Sequence, residues 1–454
     1  MRTDYKLPFA SLSIRNYRLF FIGQGVSLIG TWVQRVTMGW FVYRITNSHF
    51  LLGLVSFLSM IPTLFISPFA GAFADKWNRH HTLIVTQTAY MIQAGLLALA
   101  TLTEYINPGR LWPILCLSLL MGCIEAIDAP IRQTFVKDLV NKRSLLPDAI
   151  ASNSAMFNGA RLVGPAIGGA LIIVFSEGVC FAINSVTYLA VIISLLFMKI
   201  DYPPRQAKNE PVLTKILEGW KYSWKNVPIR FLIFNLSFYT LFGLSYATLL
   251  PIFARDVLKG DSSTQGALMS CVGIGALAGA LFLGSRKTIK GLLQLLIYAG
   301  IIGSLSLIAL SLSTNVYLSM GLMLFTGFGM TTQMIATNTI IQSVVDEKMH
   351  GRVMSVYTMG FGSISPFGNL LIGTLSGSLG TLLAVRVGLP AVQASSLGAQ
   401  IALGLCASAC LIWSLLSLRK IPLLVRDIFR MLISNKNTEI YRPTPTLDLS
   451  MSER

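Results

Sequence analysis

Runs of about 20 apolar residues recur along this chain from one end to the other, and no other feature limits its fold so strongly. A helix rises about 1.5 Å per residue, so each run is long enough to cross a hydrocarbon layer roughly 30 Å thick. Twelve runs can be read, at residues 17–43, 50–72, 82–103, 112–136, 149–174, 178–198, 229–251, 266–285, 291–312, 315–344, 353–378 and 393–418. In lipid every backbone N–H and C=O must find a partner inside its own segment, which makes each run a helix. Charged residues are 12% of the 454, about half the share of a soluble domain, so a soluble globular fold is excluded. The expected class is an all-α membrane protein with 12 transmembrane helices.

A net charge of +17 raises nucleic acid as a partner, but its distribution argues otherwise. With the N-terminus inside, 28 of the 36 Lys and Arg fall on the inner side and five on the outer side. Three more, Arg35, Arg132 and Arg161, lie in or near the membrane. This bias predicts a multi-pass protein of the cell (inner) membrane with both termini cytoplasmic. Its basic surface then faces anionic lipid, and no nucleic-acid partner is expected. The first run is long and lacks a small-residue cleavage site after it, so it is expected to remain as the first helix. The six cysteines fall in or at the ends of apolar runs without metal-ligand spacing, and read as packing residues. No metal or cofactor is expected.

Ionisable residues at membrane depth cost ~2.5–3.5 kcal/mol each and persist mainly where they face a cavity or a partner. Glu125, Asp128 and Arg132 are spaced three and four apart, so they share one helical face. Glu125 lies near the middle of the fourth run and Arg161 near the middle of the fifth. No Asp, Glu, Lys, Arg or His lies well inside the last six runs, which assigns the ionisable machinery to the N-terminal half. Desolvation raises a carboxylate's pKa and a nearby cation lowers it, so a buried acid with a movable Arg partner is suited to proton exchange. Glu125 is therefore the expected proton-coupling group, with Arg161 or Arg35 as its cation; a purely structural ion pair is the alternative. Gln24, Ser27, Thr31 and Gln34 form a polar stripe along the first run, suited to cavity lining or to hydrogen bonding between helices.

The one long internal hydrophilic stretch is 199–227. Within it Leu213, Ile216, Leu217, Trp220 and Trp224 share a face, predicting an amphipathic helix on the cytoplasmic leaflet. The predicted domains are residues 1–198, a six-helix bundle; 199–228, the linker; 229–420, a second six-helix bundle; and 421–454, a cytoplasmic tail. In the tail a short amphipathic stretch from Ile421 to Leu432 precedes a polar, disordered segment. A faint parallel repeat relates the halves: residues 132–136 resemble 341–345, and Val163-Gly164-Pro165 resembles Ile364-Ser365-Pro366.

Two motifs sharpen the reading. The loop after the second run reads Gly71-x3-Asp75-Lys76-x2-Arg79, and the fifth run carries Gly164-Pro165-x2-Gly168-Gly169 with Ala151 and Ala160 upstream. The first resembles the loop signature of the major facilitator superfamily (MFS), although Asn78 and His80 replace a glycine and a basic residue of that pattern. The second resembles that superfamily's antiporter motif, with two alanines in place of glycines. Together with Asp128, Pro130, Arg132 and Gln133, they make the chain similar to the drug:proton antiporter-3 type, which includes macrolide-efflux and enterobactin exporters.

This resemblance implies the MFS fold, two six-helix bundles that rock about a central cavity lined by spans one, four, seven and ten. It makes Gln24, Thr31, Gln34, Glu125, Asn235, Tyr246, Gln333 and Asn338 candidate cavity residues. Gly71, Asp75, Lys76, Arg79, Asp128, Arg132 and Arg352 become candidates for a cytoplasmic gate, in which Asp75 caps the eleventh helix near Gly351 and Arg79 pairs with Asp128. The antiporter motif, Gly168 above all, is expected to pack tightly between the bundles. The implied function is proton-coupled export of an amphipathic small molecule, a drug or siderophore, by a monomer using alternating access, with protons and membrane lipids as further partners. Lysophospholipid transport or flipping is the alternative. A non-transporting receptor or scaffold has no need of Glu125, and an enzyme is disfavoured because neither a G-x4-G-K-[ST] phosphate cradle nor an H-E-x-x-H metal site is present.

Overall fold

Asn47 takes the left-handed backbone conformation (φ 48°) that asparagine tolerates better than most residues, and with Ser48 it reverses the chain between the first two helices. The computed structural model describes residues 9–73, 77–140, 143–198, 200, 212–286, 288, 291–346 and 349–440, and no strand occurs among them. The first half contains α1 (Arg15–Thr46), α2 (His49–Phe73), α3 (Arg79–Leu102), α4 (Trp112–Leu139), α5 (Leu146–Val174) and α6 (Glu177–Leu196). Next comes α7 (Val212–Lys225), then α8 (Val227–Phe238), which continues through π- and 3-10-helical turns and the short α9 (Leu250–Ile252) to Val257. The second half goes on with α10 (Ser262–Gly284), α11 (Leu292–Leu312), α12 (Val316–Val344), α13 (His350–Gly362), α14 (Ser365–Val387) and α15 (Ala391–Leu418). The last helix is α16 (Ile421–Ile440).

Ten helical segments among the described residues are long and apolar enough to cross a membrane. Two long helices outside these ten, α1 with 32 residues and α12 with 29, are more polar. Span seven is irregular from Tyr239 onward, and Pro251, which follows the 3-10-helical turns, cannot donate to the carbonyl four residues before it. The two prolines of the faint repeat sit differently. Pro366 begins α14 after a break at Ser363 and Ile364, whereas Pro165 sits within a continuous α5. The Arg161 carbonyl that Pro165 leaves without an intrahelical donor lies against Gly273 of α10, where a Cβ would sit 3.2 Å from it.

The buried apolar residues fall into cores whose arrangement defines the shape. At the end opposite the termini one core joins both halves, with Phe41, Leu52, Leu97 and Phe181 from the first packed with Leu249, Phe253, Leu268 and Leu403 from the second. Toward the termini the halves have separate cores, around Tyr17, Phe20 and Phe135 in one and around Leu232, Ile297 and Ile341 in the other.

Two glycine seams hold the joined end. A Cβ on Gly169 of α5 would lie 2.5 Å from the Ser262 carbonyl oxygen and 3.1 Å from the Gly266 Cα of α10. A Cβ on Gly53 of α2 would lie 2.7 Å from the Asn369 carbonyl oxygen and 3.4 Å from the Gly373 Cα of α14. Close backbone approach of this kind is what small residues permit in membrane helices. Polar contacts flank the seams: His49 shares hydrogen bonds with the hydroxyls of Ser376 (2.6 Å) and Ser395 (2.7 Å), Tyr43 donates to Asp256, and Arg255 donates to Asn47 (2.9 Å). Asp261 caps α10 at one seam, and the bond it accepts from the Ser263 hydroxyl holds its carboxyl below the usual range.

The segments outside the bundles differ from expectation in extent. The last helix runs to Ile440 rather than ending at Leu432, because Leu424 and Ile428 anchor it in the core of the second half. The tail from 441 onward lies outside the described residues. On α7, Gly219 packs against the Arg352 carbonyl while Leu217, Trp220 and Trp224 point away from the protein. If the seams set the closure, Gly169→Leu must part them. With the six native cysteines removed, cysteines placed at Asn47 and Arg255 should be joined readily by a short bifunctional maleimide in the parent and several-fold less in Gly169→Leu. Equal cross-linking would show that the seam does not govern this end.

Candidate functional site

The i, i+3, i+7 spacing on α4 brings Glu125, Asp128 and Arg132 to one face, as their spacing requires. Arg132 reaches both acids, with its Nε 3.3 Å from Asp128 Oδ2 and its Nη2 3.6 Å from Glu125 Oε1. The two acids live in different surroundings. Asp128 is fully buried, and its Oδ1 accepts hydrogen bonds from Thr86 (2.7 Å) and Gln87 (2.9 Å) of α3. The Glu125 side chain is 32% exposed and accepts a 2.5 Å hydrogen bond from Tyr90 on its Oε2. Tyr90 stacks on Tyr188 of α6 with ring centroids 5.3 Å apart.

Glu125, Arg132, Gln87, Tyr90 and Tyr188 line a cavity of about 230 Å³ in the first half, whose walls also include Gln24, Thr31, Arg35 and Arg161. Arg35 lies 5.1 Å from the centre of the Trp32 ring, and Arg132 lies 5.1 Å from that of Phe157. Each contact is a cation–π pair, which also buries the flat face of an aromatic ring.

The cation expected beside Glu125 was Arg161 or Arg35; the residue in ion-pair contact is Arg132, assigned from sequence to the gate. An arginine two turns along the same helix is already aimed at the acid, while Arg161 and Arg35 approach the cavity from other helices. Arg79 bonds to Asp138 at 2.9 Å, not to Asp128, whose oxygens are taken by Thr86, Gln87 and Arg132. Arg352 pairs with Glu218 of α7 and so ties the linker to α13. Gly71 falls in the last turns of α2, and Asp75 and Lys76 lie outside the described residues.

The antiporter motif divides between two partners. Gly164 and Gly168 face Trp32 and Val33 of α1 inside the first half, so Gly168 is not at the junction between halves; Gly169 is. Ala160 is buried beside Leu28 and Met156, and Ala151 is exposed. Two of the candidate cavity residues, Gln34 and Asn235, are bonded to neighbouring helices. Gln34 is buried, accepting from Asn184 (2.6 Å) and donating to Gln93 (3.3 Å). Asn235 accepts from Trp413 at 3.0 Å; Asn338 is part-exposed and accepts from Gln342 one turn along the same helix; Gln333 is buried in the second half, and Tyr246 is buried in the core that joins the halves. Polar groups of membrane helices find such partners because hydrocarbon offers none.

Sequence reasoning missed the contributions of α3 and α6. Thr86, Gln87, Tyr90 and Gln93 repeat on α3 the three-and-four spacing of the polar stripe on α1, and that signal was present to be read.

The transmembrane secretion effector model, MFS_3, matches residues 6–416. A staphyloferrin A transporter of Staphylococcus aureus is 27% identical over 78% of this chain and 88% of its own length. A multidrug efflux pump, Tap, of Mycolicibacterium fortuitum is 20% identical over 77% of this chain and 87% of its own length. Among solved structures, a bacterial homologue of the human lysosomal transporter Spinster, inward-facing and occupied, superposes with a TM-score of 0.71 at 13% identity, covering 94% of this chain and 99% of that one. At that identity the likeness concerns the fold.

Removing one partner from a buried ion pair leaves the other charge uncompensated, at a cost of ~3 kcal/mol. Asp128→Ala should therefore destabilise the purified protein by about that amount and lower its thermal unfolding midpoint in detergent, whereas Glu125→Ala, at a part-exposed site, should lower it less. Equal losses would mean that the two acids share one structural role.

Proposed function

This chain belongs to the transmembrane secretion effector family of the major facilitator superfamily, and we propose that it is a proton-coupled exporter of an amphipathic small molecule, not an enzyme. The relatives named as a siderophore transporter and a multidrug efflux pump support a small-molecule substrate. The charge bias supports cytoplasmic termini in the inner membrane, with α7 resting on the inner leaflet through Leu217, Trp220 and Trp224. In that orientation the glycine seams close the outer end, and the separate cores leave the halves free to part toward the cytoplasm. Rocking of the two six-helix bundles opens the seams and closes the inner end.

The observation that carries this reading is the Glu125–Arg132 pair in the cavity wall. Glu125 is part-exposed and held by two groups, while Asp128 is enclosed by three, so Glu125 is the acid free to exchange its cation for a proton. Once Glu125 is protonated, Arg132 remains paired with Asp128 and does not become a stranded charge. One site thus changes charge by one unit without unbuilding the wall.

Glu125→Gln keeps the shape and the Tyr90 contact but cannot ionise. In vesicles with an imposed pH gradient it should abolish uphill transport while substrate binding and downhill exchange persist. Full uphill transport by Glu125→Gln would return the residue to a structural role.

A further inference from the structure

Arg35 and Arg161 are the two guanidinium groups of this cavity that the Glu125–Arg132 pair does not use. Neither has a carboxylate within ion-pair distance among the described residues, and both line the same 230 Å³ space. Arg35 is exposed into it with Trp32 beneath its guanidinium, and Arg161 is half-buried. The cavity wall carries Arg35, Arg132 and Arg161 against one lining acid, Glu125, and Arg132 engages both Glu125 and the fully buried Asp128. Unpaired arginines facing a partly enclosed space present planar forks of donors that match carboxylate or phosphate oxygens. A cationic substrate would meet the opposite sign.

We propose that Arg35 and Arg161 form the anion-binding end of the substrate site, so that the exported molecule is amphipathic and carries an oxyanion, a carboxylate or a phosphate. The inference rests on the reading of this cavity as the substrate's seat. Trp32 and Phe157 supply apolar ring faces beside the charged groups, which suits a molecule with one anionic and one apolar end. Expulsion of an anion from a negative-inside cell is favoured by ~2.3 kcal/mol per charge per 100 mV, so such a substrate is suited to export.

The test uses the purified full-length chain in neutral detergent, with tryptophan fluorescence as the readout, since Trp32 lines the site. Citrate and lysophosphatidate are the oxyanion probes, and tetraphenylphosphonium is the cationic control. Citrate, lysophosphatidate or both should bind, with affinity falling as salt rises; tetraphenylphosphonium should not displace them. Arg35→Gln and Arg161→Gln should each weaken binding about tenfold, and Arg35→Lys and Arg161→Lys should recover part of it, which separates lost charge from misfolding. Tighter binding of citrate assigns a soluble carboxylate, and tighter binding of lysophosphatidate assigns a lipid headgroup; each supports the oxyanion site. Unchanged affinity in both glutamine variants, or binding of tetraphenylphosphonium alone, would overturn it. Proton-driven export of tetraphenylphosphonium without oxyanion binding would sink this inference and leave the exporter reading intact. Oxyanion binding without transport in vesicles would do the reverse.

Discussion

One arginine held by two carboxylates organises the first half of this protein. Arg132 lies within 3.6 Å of Glu125 and 3.3 Å of Asp128, and the rest of the cavity is arranged so that this charge can stay in a membrane helix. Desolvating a guanidinium is costly, and a single acid repays it only with good geometry and further hydrogen bonds. Here the duty is divided. Asp128 is fixed by Thr86 and Gln87, whereas Glu125 has Tyr90 as its one further hydrogen-bond donor among the described residues.

That division connects the site to the larger architecture. The helices that carry the charges, α4 and α5, belong to the half whose α5 also supplies Gly169 to one seam. The same helix therefore presents Arg161 to the cavity and a bare backbone to α10, about two turns apart. The cavity wall and the seam thus share one helix. The second seam, between α2 and α14, has the same construction, as the internal repeat leads one to expect.

Much of the fold was legible because lipid forces helices and because the apolar runs are long. The shared face of Glu125, Asp128 and Arg132 was legible too, since helical geometry fixes it. Partners across helices were not. Arg132 was taken for a gate residue because its position along the helix says nothing of its reach, and Arg79 found Asp138 although Asp128 suited the loop motif as well. Gly168 and Gly169 are adjacent in sequence yet face different helices, 100° apart, so a motif alone cannot say which lies at the junction. Gln34 and Asn235 look like cavity residues in a list of polar positions, and became packing residues because neighbouring helices offered them partners.

The central claim is that Glu125 titrates while Asp128 stays ionised beside Arg132. Infrared difference spectroscopy of the reconstituted protein across the physiological pH range reads this directly, through the stretch of a protonated carboxyl group. A single titrating band should be present in the parent, lost in Glu125→Gln and moved to lower pH in Asp128→Asn, where Glu125 is the one acid left beside Arg132. A band that survives in Glu125→Gln and vanishes in Asp128→Asn would contradict the account.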